Sequence, residues 1–274
     1  MIATASRIVG LALWLVLSAP RAAFAQPREL RYNIGVDSAI TVSAAGLWIA
    51  SELLRPKIAP RACRWCESNG VDGTVRSVTR WNAPDAADKA SNVTAFIATP
   101  LTALGADTLA AAHQGAVARA PLDALFVAEA TVLALDVCTA IKLIVARERP
   151  FVHALAPDRK STTPDPSDNN LSFVSGHTTE TFAVAAAAGT VASLRRYEWA
   201  PLVWVAGLGG ATTTGYLRIA ADKHWLTDVL GGTVLGIGVG AGAVALLHHP
   251  SATSAASSSS ASTVATPLTI AFAW

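Results

Sequence analysis

Six long apolar segments constrain most strongly what this 274-residue chain can fold into. Each is rich in Ala, Val and Leu and is longer than a typical β-strand. They cover residues 38–54, 91–112, 122–146, 178–194, 201–217 and 228–247. Apolar segments of this length favour helices over strands, and a shorter segment from Val71 to Trp81 has the rhythm of an amphipathic helix. The pattern predicts an all-α bundle of about six helices. If neighbouring helices are antiparallel, the C-terminal ends of segments 122–146 and 201–217 should meet the N-terminal ends of segments 178–194 and 228–247 on one face.

The sequence leaves open whether this bundle lies in a membrane. Only 15% of the residues are charged, against roughly 25% in average soluble domains. A membrane span needs about 20 apolar residues, a length that segments 201–217 and 229–247 approach. Segment 122–146, however, carries three acidic residues and a lysine, and charges inside a bilayer are costly. We therefore expect a helical bundle that is either membrane-embedded or unusually apolar.

The two ends of the chain differ from its helical centre. Arg7, the apolar run Ile8–Leu17 and the Ala23-Phe24-Ala25 site have the form of a secretory signal, with an uncleaved anchor as the alternative. A Ser/Ala/Thr-rich stretch at 251–263 predicts an unpacked tail. The predicted organisation is a signal peptide (1–25), N-terminal helices with a loop (26–120), a helical core (121–248) and a low-complexity tail (249–274).

Cysteine usage and charge fit an exported protein. Cys63 and Cys66 form a C-x-x-C in a loop between Pro60 and Asn69. A zinc site would need a second such pair, and a thioredoxin-like motif would need a strand before it, so a local disulfide is the preferred interpretation. With 21 Lys and Arg against 19 Asp and Glu and no basic stripe, a nucleic-acid partner is not expected. We expect a location in the periplasm or the cell membrane. Export and a disulfide favour a functional site that faces the periplasm, whereas three spans before residue 147 and the Lys and Arg residues of 55–89 favour the cytoplasmic side.

Three short polar segments in the core carry the candidate chemistry. In the first, Lys142 and Arg149 are seven residues apart, so on one helix they would share a face about 10 Å apart before Pro150 ends the helix. The second is Ser-Gly-His at 175–177. Its serine suits a helix N-cap, and its glycine lets an anion approach the free amides of the helix start.

The third segment runs from Arg218 to Asp228. His224 and Asp228 are four residues apart. On a helix, the carboxylate could hold one imidazole nitrogen and leave the other exposed. The segment thus combines a cation, a candidate nucleophile and a carboxylate.

In this order and spacing, the three segments resemble the type 2 phosphatidic acid phosphatase (PAP2) superfamily, which includes bacterial class A acid phosphatases and vanadium haloperoxidases. Its pattern is K-x6-R-P, then P-S-G-H, then S-R-x5-H-x3-D. Both spacings match, but Val174 and Leu217 stand where the family has Pro and Ser. We expect these two residues to tune loop geometry without removing the chemistry. The resemblance covers about 122–247, so that 121–248 is interpreted as a PAP2-like catalytic core with a PAP2/haloperoxidase-like bundle fold.

The resemblance implies a role for each motif residue. His224 is the implied nucleophile that forms a phosphohistidine, with Asp228 orienting it and stabilising its cationic form. His177 is the implied general acid and later the base that activates water. The phosphoryl oxygens would be bound by the side chains of Lys142, Arg149 and Arg218 and by the amides of Ser175 and Gly176. Neither a metal nor another cofactor is implied, because three cations supply the positive charge.

The favoured function is therefore hydrolysis of a phosphomonoester or pyrophosphate on a small molecule or a lipid. The apolar helices favour a membrane-borne lipid phosphate. A vanadate-dependent haloperoxidase is an alternative, although those enzymes resemble longer chains, and only residues 26–120 precede the core here. The alternative of another class is a catalytically silent membrane or interaction protein. The absence of Arg218, His224 or Asp228 would favour this alternative, but all three residues are present.

Overall fold

A computed structural model describes residues 26–250. The predicted signal peptide and nearly all of the predicted tail lie outside the described residues. Between residues 26 and 250 the regular structure is helical, and β pairing is limited to two isolated bridges, one between Leu30 and Pro250 and one between Trp65 and Arg147. The all-α prediction is confirmed.

Nine α-helices occur in the described part of the chain. They are α1 (Ile34–Ile58), α2 (Gly70–Thr79), α3 (Pro84–Val93), α4 (Thr99–His113), α5 (Ala120–Val145), α6 (Pro150–His153), α7 (Gly176–Arg195), α8 (Ala200–Ala220) and α9 (Leu226–Leu247). A π-helical turn at Thr94–Ala98 joins α3 to α4. All six predicted apolar segments are helical, and the short helix predicted from Val71 is α2.

The helix that carries Lys142 ends earlier than predicted. Ala146 adopts the left-handed conformation with φ of 50°, and Arg149 is extended with ψ of 151°. A residue before proline is disfavoured in the helical conformation, and Pro150 begins α6 instead of ending α5. The expectation that Lys142 and Arg149 share one helix face is therefore wrong.

A disulfide loop supports this break in the helix. The Sγ atoms of Cys63 and Cys66 are bonded. Between these cysteines, the amide of Arg64 donates to the carbonyl oxygen of Ala146 at 3.0 Å, and the carbonyl oxygen of Trp65 accepts from the amide of Glu148 at 3.1 Å. The loop therefore holds the extended segment that leads to Arg149.

Helix α7 lies at the centre of the bundle and packs against α5, α8 and α9. Residues 181–189 of α7 are buried without interruption. Helix α9 approaches it along Gly232, Gly236 and Gly240. A Cβ atom on Gly236 would lie 2.5 Å from the carbonyl oxygen of Thr179. Small residues therefore let the two helices approach closely and hold their N-termini side by side.

Buried polar pairs explain how α5 carries acidic residues inside an apolar bundle. At the end of the bundle remote from the α7 N-terminus, Asp123 accepts from Arg195 Nη2 at 2.6 Å and from the Tyr197 hydroxyl at 2.9 Å. Glu129 lies 3.1 Å from Nε2 of His248. These carboxyl groups are buried against partners from other segments, and they do not face the surroundings of the bundle.

Four helical stretches between residues 26 and 250 are long and apolar enough to cross a membrane. They are Ile34–Ile58, Pro84–His113, Val117–Val145 and Leu226–Leu247. Helix α8, which the sequence places near this limit, is not among them, whereas the stretch containing the acidic α5 is. Large apolar side chains such as Val42, Leu53 and Val234 are exposed on the outer faces of these stretches, as expected of surfaces that contact lipid. The chain is a helical membrane protein.

Candidate active site

Four helix ends meet at one cavity of about 190 Å³. The C-terminal ends of α5 and α8 lie beside the N-terminal ends of α7 and α9, which is the arrangement predicted from the helix order. Six of the eight predicted site residues line the cavity: Lys142, Arg149, Gly176, His177, Arg218 and His224. The other two, Ser175 and Asp228, are completely buried and contact the cavity-lining residues from behind.

Arg149 reaches the cavity from the extended segment after α5. Its Nη2 donates to Oδ1 of Asp168 at 2.7 Å, its Nε to the carbonyl oxygen of Asp168 at 2.9 Å, and its Nη1 to the carbonyl oxygen of Lys223 at 2.8 Å. Burial alone would raise the pKa of Asp168, but the charge of Arg149 holds it below its usual range. The guanidinium group is thus charged and fixed before any ligand binds.

The N-terminus of α7 is the expected anion-binding end. A Cβ atom on Gly176 would lie 3.3 Å from Nζ of Lys142, so the glycine lets this ammonium group approach the first turn of the helix. Ser175 is the N-cap residue, as predicted, but its side chain does not cap the helix. Its amide donates to the carbonyl oxygen of Asp228 at 3.0 Å. The expectation that this amide binds phosphoryl oxygens is therefore wrong, because its hydrogen atom is already bonded to the backbone of α9.

Arg218, in the last turn of α8, is held by helix α3. Its Nη1 donates to Oδ1 of Asp88 at 2.5 Å and to Oγ of Ser91 at 2.9 Å. Its Nε is buried and has no hydrogen-bond partner in the described part of the chain. Burial and the neighbouring Arg149 lower the pKa of Arg218 to about 10, so it remains a cation at neutral pH.

His177 also has a partner on α3. Its Nε2 lies 2.7 Å from Oδ1 of Asn92. An amide oxygen only accepts, so Nε2 carries the hydrogen atom. Burial, followed by the charge of Arg218, lowers the pKa of His177 below its usual range, which favours the neutral ring. Asp88, Ser91 and Asn92 were missed by sequence reasoning, because nothing in the local pattern of residues 84–93 indicates a site.

His224 is held as a neutral ring by hydrogen bonds at both of its nitrogens. Its Nδ1 lies 2.8 Å from the carbonyl oxygen of Ser172, and its Nε2 lies 3.0 Å from Nη1 of Arg149. A carbonyl accepts and a guanidinium donates, so the hydrogen atom is on Nδ1 and the lone pair is on Nε2. Burial, and then Arg149, place the pKa of His224 well below its usual value. The ring is therefore in the form required of a nucleophile.

Asp228 supports His224 differently from the expectation. His224 lies in the loop before α9, so the two residues do not share a helix, and Oδ2 of Asp228 lies 3.6 Å from Nδ1 of His224. The same Oδ2 accepts from Oγ of Ser172 at 2.5 Å and from the amide of Trp225 at 2.8 Å. Because Ser172 also accepts the Nδ1 hydrogen, Asp228 orients the histidine through Ser172.

Arg147 anchors Asp228, and sequence reasoning missed it. Arg147 is completely buried. Its Nη1 donates to Oδ1 of Asp228 at 2.6 Å, and its Nη2 donates to Oδ2 of Asp72 at 2.7 Å. Its guanidinium carbon lies 3.8 Å from the centroid of the Trp65 ring. The only available signal was a second arginine inside the first motif. A buried network thus connects α2, the disulfide loop and α9 behind the cavity.

The charge of the cavity suits an oxyanion. Lys142, Arg149 and Arg218 converge on it from three different segments. No group of three or more His, Cys, Asp or Glu side chains is placed to hold a metal ion between residues 26 and 250. Side-chain cations around a neutral histidine suit a phosphoryl group or a chemically similar oxyanion.

Comparisons with known proteins identify proteins that resemble this chain. Residues 123–251 match the family model described as the PAP2 superfamily. A stretch of 69 residues is 42% identical to a lipid A 1-phosphatase of Porphyromonas gingivalis and covers 25% of this chain but only 15% of that protein. The crystal structure of a transmembrane PAP2 type phosphatidylglycerolphosphate phosphatase from Bacillus subtilis aligns with 77% of this chain and 94% of that one, at 16% identity and a TM-score of 0.43. The predicted resemblance to the PAP2 superfamily is therefore confirmed for residues 123–251, which contain all three motifs.

Proposed function

We propose that the chain is a phosphatase that hydrolyses a lipid phosphate, as a phosphomonoester or pyrophosphate, through a phosphohistidine at His224. One observation carries the proposal. A neutral, buried His224 lines a cavity together with Lys142, Arg149 and Arg218. Its Nδ1 hydrogen is held by the carbonyl oxygen of Ser172, and its Nε2 lone pair accepts from Nη1 of Arg149. Phosphoryl transfer depends mainly on positioning and on positive charge around the transferred group.

In the first step, the phosphoryl group takes the place beside Nε2 of His224 that Nη1 of Arg149 holds in the structure, and the guanidinium donates to a phosphoryl oxygen instead. Nε2 forms a bond to phosphorus as the bond to the leaving oxygen breaks, and His177 gives that oxygen a proton. The dianionic phosphoryl group offsets the cations that lower the pKa of His177 and thereby favours its acid form. Asp228, 3.6 Å from Nδ1, offsets the positive charge of the phosphorylated ring.

In the second step, water attacks phosphorus from the side that the leaving group vacated. His177, now neutral, accepts a proton from this water. The bond between nitrogen and phosphorus breaks, its electron pair returns to Nε2 of His224, and inorganic phosphate leaves. Asn92 keeps the ring of His177 in one orientation through both steps.

The cavity suits the headgroup of a lipid. Trp48, Phe96 and Leu135 line it together with the cations, so polar and apolar surfaces adjoin. Pockets that enclose drug-sized ligands measure about 300–1,000 Å³, whereas this one measures about 190 Å³. It therefore accommodates a phosphorylated headgroup, and acyl chains would remain outside, against the apolar helix faces. The relative from P. gingivalis is a lipid A 1-phosphatase by name, which also supports a lipid substrate.

Trapping the covalent intermediate tests the roles of the two histidines. After acid quenching of a ³²P-labelled substrate, His224→Ala should show neither label nor turnover. His177→Ala should retain label with para-nitrophenyl phosphate and lose about 10²–10⁴-fold in rate with an alkyl phosphate, which needs a general acid. His249→Ala, an exposed histidine at the C-terminal end of α9, is the matched control. Label in His224→Ala and none in His177→Ala would reverse the assigned roles.

Metal independence is tested with a chelator. EDTA should leave phosphate release unchanged, since side chains supply the positive charge. Orthovanadate should inhibit, because its trigonal-bipyramidal form resembles the transition state and can bond to His224. Loss of activity on chelation that is restored by Mg²⁺ would contradict this part of the proposal.

We also infer that the site faces the periplasm. The Cys63–Cys66 disulfide lies at the cavity end of the bundle, beside the segment that carries Arg149, and disulfides persist in oxidising compartments. Intact cells should hydrolyse a membrane-impermeant phosphate ester supplied outside, provided that the outer membrane is permeabilised. Hydrolysis only after lysis of the inner membrane would place the site on the cytoplasmic side.

A further inference from the structure

Glu180 is a carboxylic acid in the cavity to which the proposed mechanism gives no role. It lies on α7 three residues after His177, and both side chains line the cavity. Residues three apart on a helix share a face. Among residues 26–250, its carboxyl group has no hydrogen-bond or ion-pair partner. A carboxyl group held in a ligand cavity without a protein partner is available to a ligand.

Glu180 lines the cavity but forms no hydrogen bond or ion pair with Lys142, Arg149 or Arg218. Burial alone raises the pKa of Glu180 to about 8, and no neighbouring charge contributes. Asp168, in contrast, lies beside Arg149, and the charge of Arg149 holds its pKa below the usual range. A carboxylate beside the phosphoryl oxygens would also repel them. Glu180 therefore does not belong to the phosphoryl-binding end of the cavity.

The position of His177 indicates which part of a substrate Glu180 would meet. In the proposed mechanism, His177 protonates the oxygen that leaves phosphorus. The next group on the same helix face would then lie near the atoms attached to that oxygen. These atoms belong to the alcohol that is released.

We propose that Glu180 selects the leaving group by hydrogen bonding to a hydroxyl or ammonium group next to the ester oxygen. This inference rests on the proposed function, because it needs a bound phosphate ester. A neutral carboxyl group can exchange hydrogen bonds with a hydroxyl, and an ionised one pairs with an ammonium. A site built around such a bond disfavours a substrate that lacks the donor, because its own polar group is then buried without a partner.

Substrates that differ only near the ester oxygen test this inference. Lysophosphatidic acid offers a hydroxyl, sphingosine 1-phosphate an ammonium and phosphatidic acid neither, with para-nitrophenyl phosphate as the reference for each protein. In Glu180→Ala, the kcat/KM of the first two relative to phosphatidic acid should fall about tenfold or more. Glu180→Gln should retain more of the preference for the hydroxyl than for the ammonium. Glu52→Gln removes a carboxyl group already paired with Arg55 at 3.1 Å and should not change the ratios.

Three results would count against the inference. Equal losses of kcat/KM on all substrates would indicate a structural role for Glu180. Unchanged kcat/KM ratios in active Glu180 variants would overturn the selection of the leaving group and leave the proposed function intact. Absence of phosphate release from any substrate by the wild-type protein would overturn the proposed function and this inference together. The thermal unfolding midpoint of both Glu180 variants should equal or exceed that of the wild type, since the substitutions remove no hydrogen bond or ion pair of the described chain.

Discussion

Replacing Arg147 with methionine should separate the buried network behind the cavity from the cavity itself. Methionine keeps much of the length of the side chain but removes three charge-assisted hydrogen bonds, to Asp228, Asp72 and Thr227. Both carboxylates are completely buried. Burial alone would raise the pKa of Asp72, but hydrogen bonds from Arg147 and Thr227 hold it below its usual range. The variant therefore leaves buried negative charge without its counterion.

The expected loss of stability is large. Removing one partner of a buried ion pair costs about 3–5 kcal/mol. For a domain of about 200 residues, this lowers the unfolding midpoint by about 6–20 °C. Activity should fall as well, because Asp228 would no longer hold Ser172 and His224 in place. We expect a loss of about 10- to 100-fold, as is found when the carboxylate that orients a metal-bound histidine is removed.

Two arginines provide matched controls. Arg149→Met should abolish activity but destabilise less, because the side chain of its partner Asp168 is 22% exposed and water can compensate its charge. Arg195→Met breaks the buried pair with Asp123 at the remote end of the bundle. It should lower the midpoint about as much as Arg147→Met while each folded molecule keeps its activity.

Purified protein in detergent allows both quantities to be measured. Tryptophan fluorescence during heating gives the unfolding midpoint, and phosphate release from para-nitrophenyl phosphate gives the activity. Asp72→Asn added to Arg147→Met should recover part of the lost stability, because it removes one of the two uncompensated carboxylates. Equal midpoints for Arg147→Met and Arg149→Met would refute the reasoning, as would full activity in Arg147→Met.

Three further predictions address packing, protonation and the partner of His177. Gly236→Ala should destabilise the bundle by about 1–3 kcal/mol, because its Cβ would lie 2.5 Å from the backbone of α7. Gly238→Ala, on the open face of the same helix, should stabilise the bundle by up to about 1 kcal/mol. Chemical or thermal unfolding of both variants tests this prediction. Because burial and Arg149 lower the pKa of His224 in the folded chain, only the unfolded chain takes up that proton as the pH falls. The free energy of unfolding is therefore unaffected by this titration above about pH 6.5 and falls below it by up to about 1.4 kcal/mol per pH unit. The unfolding midpoints at pH 7.5 and 5.5 should accordingly differ less in His224→Gln than in the wild type. Asn92→Ala removes a hydrogen bond to His177 worth about 1 kcal/mol and should slow hydrolysis of an alkyl phosphate more than that of para-nitrophenyl phosphate; equal effects on kcat for both would exclude a role in proton transfer.

The sequence alone determined where the helices lie and which residues are candidates for chemistry. Both depend on local patterns. Apolar segments longer than a strand indicate helices, and the spacing within K-x6-R-P and R-x5-H-x3-D survives in the chain regardless of how the helices pack. The order of the helices was also sufficient to predict that four of their ends meet at one cavity.

The tertiary structure decided how those residues are held. Arg149 leaves the helix of Lys142, and Asp228 acts through Ser172, because counting along a sequence presupposes that a helix continues where the backbone in fact turns. The groups that fix the two cavity residues His177 and Arg218 lie on α3, separated from them by 85 and 130 residues. No periodicity connects positions so far apart. Hydrogen bonding and burial depend on distance in space, so these contacts exist only once the helices have packed.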